Sequence, residues 1–414
     1  MQREELNYNE RLILNLIRFH GEIARNNLVD KSGLSFSSIS NVTKRLLGSG
    51  FIIETGKDFS QGGGRPLILL SVNPDLAYFV GVDIGAYHTR FGVYDSSLKR
   101  KLTGEKILTR DLGDDKAGGL YRVIQSLLNK TGIDPSRVAG VGFGVSGIVD
   151  SASGVCLDIP NATGWEGIRL KDYFEERLGV LTTIEEGGRA MAVAEKWMGK
   201  ARDALEFIFV AVGFSIVCGI VSGGELLRGH NNVAGLLGHT TVDEDMGRCT
   251  CGNYGCLENG VTFPTINVKF SAGIGKGEAM LDIVKELASG DKVAINICLQ
   301  TGQLIGIALS NITNILNPEL IILGGAVIER LEPVFEEARR TIMLRANRHA
   351  LKDLKILKTS FGEDCGVLGA ALNAANEFFG APRFCDIVRE GDMPRGSNGN
   401  GRSRGEGEET GLWG

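Results

Sequence analysis

The chain is 414 residues long, more than one hydrophobic core usually spans, so two or three domains are expected. Hydrophobic residues at 43% and charged residues at 23% are ordinary globular proportions, which exclude a wholly disordered, collagenous or membrane-embedded chain. The net charge of −5 argues weakly against nucleic acid as a partner, yet residues 1–74 hold nine Lys or Arg against seven Asp or Glu, leaving −7 for the remainder. There is no run of about 18 apolar residues, and the start MQREELNYNE lacks the apolar core of a secretory signal. No membrane insertion and a cytoplasmic location are therefore expected.

Helical periodicity opens the chain, with Leu12, Ile13, Leu16 and Ile17 forming an apolar stripe that ends near His20 and Gly21. A second, short helix fits Arg25 to Ser32, and Gly33 supplies the turn after it. Ser35 can cap a third helix running to Ser49, in which Ile39, Val42 and Leu46 recur on one face. Two apolar runs follow, Phe51 to Ile53 and Leu67 to Val72, separated by GKDFSQGGGRP, which predicts a β-hairpin wing.

From Tyr78 strands alternate with helices, the mark of an α/β domain. The segment Phe207 to Leu227 repeats the strand-turn-strand outline of Tyr78 to Asp95, predicting an internally duplicated fold. Long helical patterns are read around Glu278 to Leu316 and Ile328 to Arg345, with a final helix at Ala370 to Phe379. The predicted division is a winged helix-turn-helix at 1–74, a two-lobed domain at 75–381 and a disordered tail at 382–414, whose composition offers almost nothing to bury.

The third helix matches what a recognition helix in the major groove needs. Ser37, Ser38, Ser40 and Asn41 are small and polar enough to reach base edges, while Lys44 and Arg45 neutralise phosphates. In the wing, Gly62, Gly63 and Gly64 let the backbone turn closely, so that Arg65 reaches a phosphate or the minor groove. Double-stranded operator DNA is the implied partner. The competing reading, a module that only packs or binds protein, explains this ordered spacing less well.

Eight cysteines, three of them packed into Cys249, Cys251 and Cys256, do not read as a disulfide framework. With His239 they offer one imidazole and three thiolates in GHTTVDEDMGRCTCGNYGC, the donor set of a closed tetrahedral zinc site. Gly252 and Gly255 permit the tight loop this needs. Zinc so enclosed organises the 239–256 loop and does no chemistry. Cys156, Cys218, Cys298, Cys365 and Cys385 are scattered and read as structural.

The zinc segment GHTTVDEDMGRCTCGNYGCLE, with VDIG at Val82 to Gly85, PNATGW at Pro160 to Trp165 and NPELIILGGA at Asn317 to Ala326, resembles the ROK family of sugar-responsive repressors and sugar kinases. The resemblance runs from about Asn9 to Phe379 and is to the branch of regulators with an N-terminal helix-turn-helix. It implies a two-lobed actin-like (ribonuclease H-like) ATPase fold, a sugar site in the cleft, and a homodimer or homotetramer.

Measured against the family's kinases, this chain lacks parts. The catalytic aspartate of those kinases sits in a stretch reading roughly Glu-Asn-Asp, and the matching stretch here is Glu185, Glu186, Gly187. Their first phosphate turn, Asp-Ile-Gly-Gly-Thr, here reads Asp83, Ile84, Gly85, Ala86, Tyr87. Their second, Gly-Thr-Gly-Ile-Gly, reads Gly213, Phe214, Ser215, Ile216, Val217. Asn161, His239 and Glu258 match positions that contact sugar hydroxyls in relatives, while Leu236 replaces an expected glutamate. An ordinary aldohexose is thus expected to bind poorly. Asn161 and Glu258 read equally well as loop-capping or supporting groups.

The leading expectation is therefore a homo-oligomeric transcription regulator, a repressor of carbohydrate uptake or metabolism genes, with a carbohydrate effector and a degenerate kinase-like domain. An ATP-dependent sugar kinase is the alternative from another class. A third reading makes the large domain a docking surface for a regulatory protein partner.

Overall fold

A computed structural model describes residues 6–58, 66–99, 101–273 and 283–382. Arg65, the wing glycines Gly62 to Gly64, Cys385 and the tail from 383 onward lie outside the described residues.

Helices α1 (Tyr8–His20), α2 (Arg25–Ser32) and α3 (Phe36–Gly48) open the chain, with β1 (Ile23–Ala24) between the first two. The local signals act as the sequence implies. Asn7 and Glu10 form a reciprocal capping box at the start of α1, Gly33 ends α2 in the left-handed region at φ 67°, and Ser35 accepts the Ser38 N–H to start α3. β2 (Ile52–Asp58) and β3 (Leu67–Val72) form an antiparallel hairpin, and β1 adds to its other edge in the order β1-β3-β2.

Two five-stranded sheets follow. The first is built from β4 (Tyr78–Ile84), β5 (His88–Asp95), β6 (Lys101–Leu108), β7 (Val138–Val145) and β11 (Leu181–Glu186), in the order β11-β7-β4-β5-β6. A small sheet, β8 (Ile148–Asp150), β9 (Val155–Asp158) and β10 (Ile168–Arg169), lies beside it. The second is built from β12 (Phe207–Val212), β13 (Ile216–Ser222), β14 (Glu225–Leu226), β15 (Leu320–Gly324) and β16 (Lys355–Lys358), in the order β14-β13-β12-β15-β16. In both, three strands run antiparallel as a meander and two more add in parallel to the first of them.

The connecting helices repeat the pattern. α4 (Lys116–Thr131) precedes β7, α5 (Leu170–Leu178) precedes β11, and α6 (Gly187–Met198) follows it. In the second lobe α7 (Leu257–Val261), α8 (Phe263–Gly273), α9 (Ile283–Ala288) and α10 (Lys292–Leu316) precede β15. α11 (Ala326–Arg330) and α12 (Glu332–Arg345) precede β16, and α13 (Cys365–Phe378) follows it. The duplication read from two hairpins therefore extends over whole lobes. Two long helical patterns are in fact interrupted: Gly290, at φ 79°, separates α9 from α10, and Leu331 separates α11 from α12 just before Pro333.

α10 is long and apolar enough to cross a membrane by length and composition alone, but its apolar face packs on α12 and 56% of its most apolar stretch is buried.

The paired helices α6 and α13 lie between the two sheets and touch each other. Glycine makes this possible: a Cβ on Gly142 would overlap the Ala370 carbonyl, and one on Gly369 the Ala190 carbonyl. The N-terminal unit is not a loose appendage. Ile13, Leu16, Ile39 and Leu70 belong to one apolar cluster with Trp197 of α6 and Leu372 and Phe379 at the end of α13. Arg18 of α1 lies over Trp197 at 4.9 Å and Phe379 at 4.3 Å and donates to Asn376 at 3.1 Å; burial pushes its pKa down to about 9.

Candidate functional site

A cavity of about 750 Å³ opens where the first lobe, the start of α6 and the zinc-type segment meet. It is lined by Asn161, His239 and Glu258, so the three residues expected to contact a ligand are brought together. Asn161 is exposed and in the left-handed region at φ 65°. Glu258, in the first turn of α7, is buried and accepts the Ile216 N–H at 2.9 Å, which ties it to the β12–β13 turn. Leu236, half exposed, lines the same cavity.

The floor is the N-terminus of α6. Glu186 caps it, accepting the Gly188 and Arg189 N–H groups at 2.8 and 2.9 Å, and burial raises its pKa to about 7. Gly187 is the first helical residue; a Cβ there would stand 3.3 Å from Ser146 Oγ and 3.4 Å from the Val145 carbonyl. Arg189, which sequence reasoning passed over, also lines the cavity and is 1% exposed. Its Nε donates to Glu185 at 2.8 Å and its Nη1 to the Asn232 carbonyl at 3.1 Å. Only the position of a lone arginine immediately after a glycine pair at a helix start marked it in the sequence.

A second, smaller cavity of about 380 Å³ lies between the lobes at the two turns that resemble phosphate loops. Tyr87 from the β4–β5 turn and Phe214 from the β12–β13 turn stack at 4.6 Å with an angle of 11°, and Phe263 and His88 pack around Phe214. The aromatic pair spans the cleft from one lobe to the other. Asp83 beneath it is buried, its pKa raised to about 6 by desolvation and pulled back by Arg90. Nearby, Glu363 gathers Arg90, Lys106 and Arg330; these donors outweigh its desolvation and hold it at about 2.

The four predicted metal ligands form one cluster: the donor atoms of His239, Cys249, Cys251 and Cys256 all lie within 4.8 Å of one another. Cys249 Sγ stands 3.6 Å from His239 Nδ1, and Cys251 Sγ 3.7 Å from Cys256 Sγ. A tetrahedral ion with metal–sulfur bonds of about 2.3 Å needs sulfurs about 3.8 Å apart, so the residues present fit a metal ion. The loop reaches this shape through Gly252 at φ 94° and Gly255 at φ 71°, where a Cβ would also collide with the Asp243 carbonyl. Burial pushes the Cys256 thiol up to about 12, while the Asn253 N–H lowers exposed Cys251. A divalent ion would hold both as thiolates. Cys156, Cys218, Cys298 and Cys365 are free and buried and are not part of this cluster.

On α3, Ser37, Ser40, Asn41, Lys44 and Arg45 are exposed, whereas Ser38 is half-buried and shares its hydroxyl with the Ser35 cap at 2.9 Å. Arg45 also supports the unit from within. Its Nε pairs with the buried Glu10 at 2.9 Å, in an alignment short of a hydrogen bond, and so fastens α3 to α1. Phe36, at the first position of α3, is also 56% exposed, and the sequence reading did not single it out.

Residues 79–377 match the family described as the ROK family. The chain is 28% identical over 392 residues to the xylose repressor of Caldicellulosiruptor bescii, covering 91% of this chain and 97% of that one. Among solved structures it is similar to a ROK family transcriptional regulator, a homologue of the E. coli MLC protein, with a TM-score of 0.76, 25% identity and coverage of 92% of this chain and 98% of that one. It is also similar to a ROK family glucokinase of Streptomyces griseus in complex with glucose and AMPPNP, with a TM-score of 0.63 and 25% identity. That enzyme covers 72% of this chain but 99% of its own.

Proposed function

The chain belongs to the ROK family, and from that membership we propose that it is a sugar-responsive transcriptional repressor. Its α1–α3 unit and hairpin act as a winged helix-turn-helix on operator DNA, and the cavity at the start of α6 receives a carbohydrate. Similarity to repressors spans nearly the whole chain, whereas the glucokinase covers 72% of it.

The observation that carries this reading is the course of α6. It is capped in the cavity by Glu186 and carries in its last turn Trp197, whose ring meets Phe19 of α1 at 5.9 Å. A displacement of its first turn by a ligand is delivered through one rigid helix to the element that carries α3. Arg202 over Phe19 at 4.2 Å and Arg18 between Trp197 and Phe379 complete the contact.

We infer no kinase chemistry. Gly187 offers no carboxylate to accept a hydroxyl proton, and the Tyr87–Phe214 stack fills the place where two backbone turns would have to hold nucleotide phosphates. The metal that this cluster would hold is zinc: three thiolates and one imidazole suit its preferences, and with all four positions supplied by protein it would hold the 239–256 loop against the cavity wall.

Selection from a pool of random duplexes tests the DNA-binding half of the proposal. Full-length protein is expected to enrich a dyad-symmetric sequence, because repressors of this build act as symmetric oligomers. Recovery of a pool no different from the input removes the reading.

A further inference from the structure

Among the described cysteines Cys251 alone is exposed; the others are buried. It sits at the tip of a turn, closed behind it by the Gly252 N–H donating to the Cys249 carbonyl at 3.0 Å. A Cβ on Gly252 would meet nothing within 4 Å, so the tip has open space around it. Cys251 also lines the effector cavity, together with Thr250 and His239, so solute that enters the cavity reaches this corner of the cluster.

The two buried cysteines of the cluster differ in what stands beside them. Cys256 Sγ is 3.7 Å from Cys251 Sγ, and its backbone is fixed by a β-bridge to Thr241. Cys249 Sγ stands on the other side, 3.6 Å from His239 Nδ1, with its N–H donated to the Asn253 carbonyl at 2.7 Å. A disulfide needs sulfurs about 2.05 Å apart, so joining Cys251 to Cys256 takes an approach of about 1.7 Å, which a turn tip in open space supplies.

Resting on the reading of the cluster as a zinc site, we propose that Cys251 and Cys256 form an oxidation site for a peroxide, and that their disulfide releases the ion and loosens the loop that walls the effector cavity. As metal ligands both sulfurs are thiolates. The Cys251 sulfur attacks one peroxide oxygen, the O–O bond breaks, and hydroxide leaves with Cys251 as a sulfenic acid. The Cys256 sulfur then attacks the Cys251 sulfur, the S–O bond breaks, and a second hydroxide leaves as the S–S bond forms. Two electrons pass from the sulfur pair to the peroxide, and both hydroxides take protons from solvent to become water. Only His239 and Cys249 then remain as donors, too few for a closed tetrahedral site. The carbohydrate and the oxidant therefore act on the same wall of one cavity.

The test treats freshly reduced, full-length, zinc-loaded protein with hydrogen peroxide, against an untreated control. Released ion is read with a colorimetric zinc chelator, the state of each cysteine by peptide mass spectrometry, and the loop by hydrogen exchange over residues 239–256. About one zinc per chain is expected to leave in step with a Cys251–Cys256 disulfide, while Cys156, Cys218, Cys298 and Cys365 stay thiols. Exchange over 239–256 is expected to rise, and dithiothreitol with added zinc should return the protein to its starting state. Zinc retained by a cluster that stays reduced in excess peroxide would overturn the proposal while leaving the zinc site in place. A disulfide that joins any other pair, oxidation of Cys251 to a sulfonic acid with no disulfide, or zinc release with unchanged exchange would also overturn it. Reduced protein that takes up no zinc would overturn both readings.

Discussion

At the residue scale, position decides what each group can do more than its chemical type. Cys251 and Cys256 are both candidate thiolates, yet one is exposed and the other buried, and only the loop closed by Gly252 and Gly255 brings them within 3.7 Å. Cys251→Ala is expected to lower metal content, measured on freshly reduced protein by mass spectrometry of the element, from about one zinc per chain to near none. It should also reduce the melting temperature, since the loop loses the ion that orders it; a variant that keeps a full complement of zinc would remove Cys251 from the ligand set. The cluster of His239, Cys249, Cys251 and Cys256 was legible in the sequence because its spacing is short and local. Arg189 was not, because its place in the cavity wall is set by a bond to the Asn232 carbonyl, 43 positions away. The Tyr87–Phe214 stack was half legible: the sequence showed two turns altered, but not that the altered residues meet.

At the scale of elements, α3 combines a polar outward face with support of the three-helix unit. Lys44 is exposed on its outward face, whereas Arg45 also neutralises Glu10 within the three-helix core. Lys44→Ala is therefore expected to weaken operator binding and reduce its salt slope by about one, with stability unchanged within about 0.5 kcal/mol. Arg45→Ala is expected to weaken binding and to lower stability as well, by about 1–3 kcal/mol, because a buried carboxylate loses its countercharge. Equal melting curves for the two variants would show that the Glu10 pair contributes nothing. α6 makes a different demand. Trp197→Ala, at its far end, is expected to leave carbohydrate binding intact while the ligand loses its effect on DNA affinity; a full response in this variant, read by operator titration with and without ligand, contradicts the proposed route. α2 was read to its observed ends because Gly33 and Ser35 punctuate it, but α11 and α12 were read as one helix because their apolar periodicity runs on across Leu331. Periodicity reports which face is buried and is insensitive to a single break.

At the scale of the whole molecule, two lobes of the same topology face each other across a cleft that in a kinase must open for nucleotide and close for transfer. Here an aromatic pair bridges the cleft, and the helices packed between the lobes carry the N-terminal unit in a shared core. Purified protein is accordingly expected to show no ATP-dependent phosphorylation of glucose, xylose or N-acetylglucosamine. Gly187→Asp alone should not restore it, since the base is returned but the phosphate turns stay blocked. Turnover by wild type at about 1 per second or more in a coupled assay, ordinary for a kinase, would revive the enzyme reading. The central claim, repression relieved by a carbohydrate, is tested most directly by transcription in vitro from a promoter carrying the selected binding sequence. The full-length protein should lower transcript yield, and addition of the carbohydrate that binds its cavity should restore it. Transcript that is unaffected or raised by the protein, or repression that the bound carbohydrate leaves unchanged, would contradict the account.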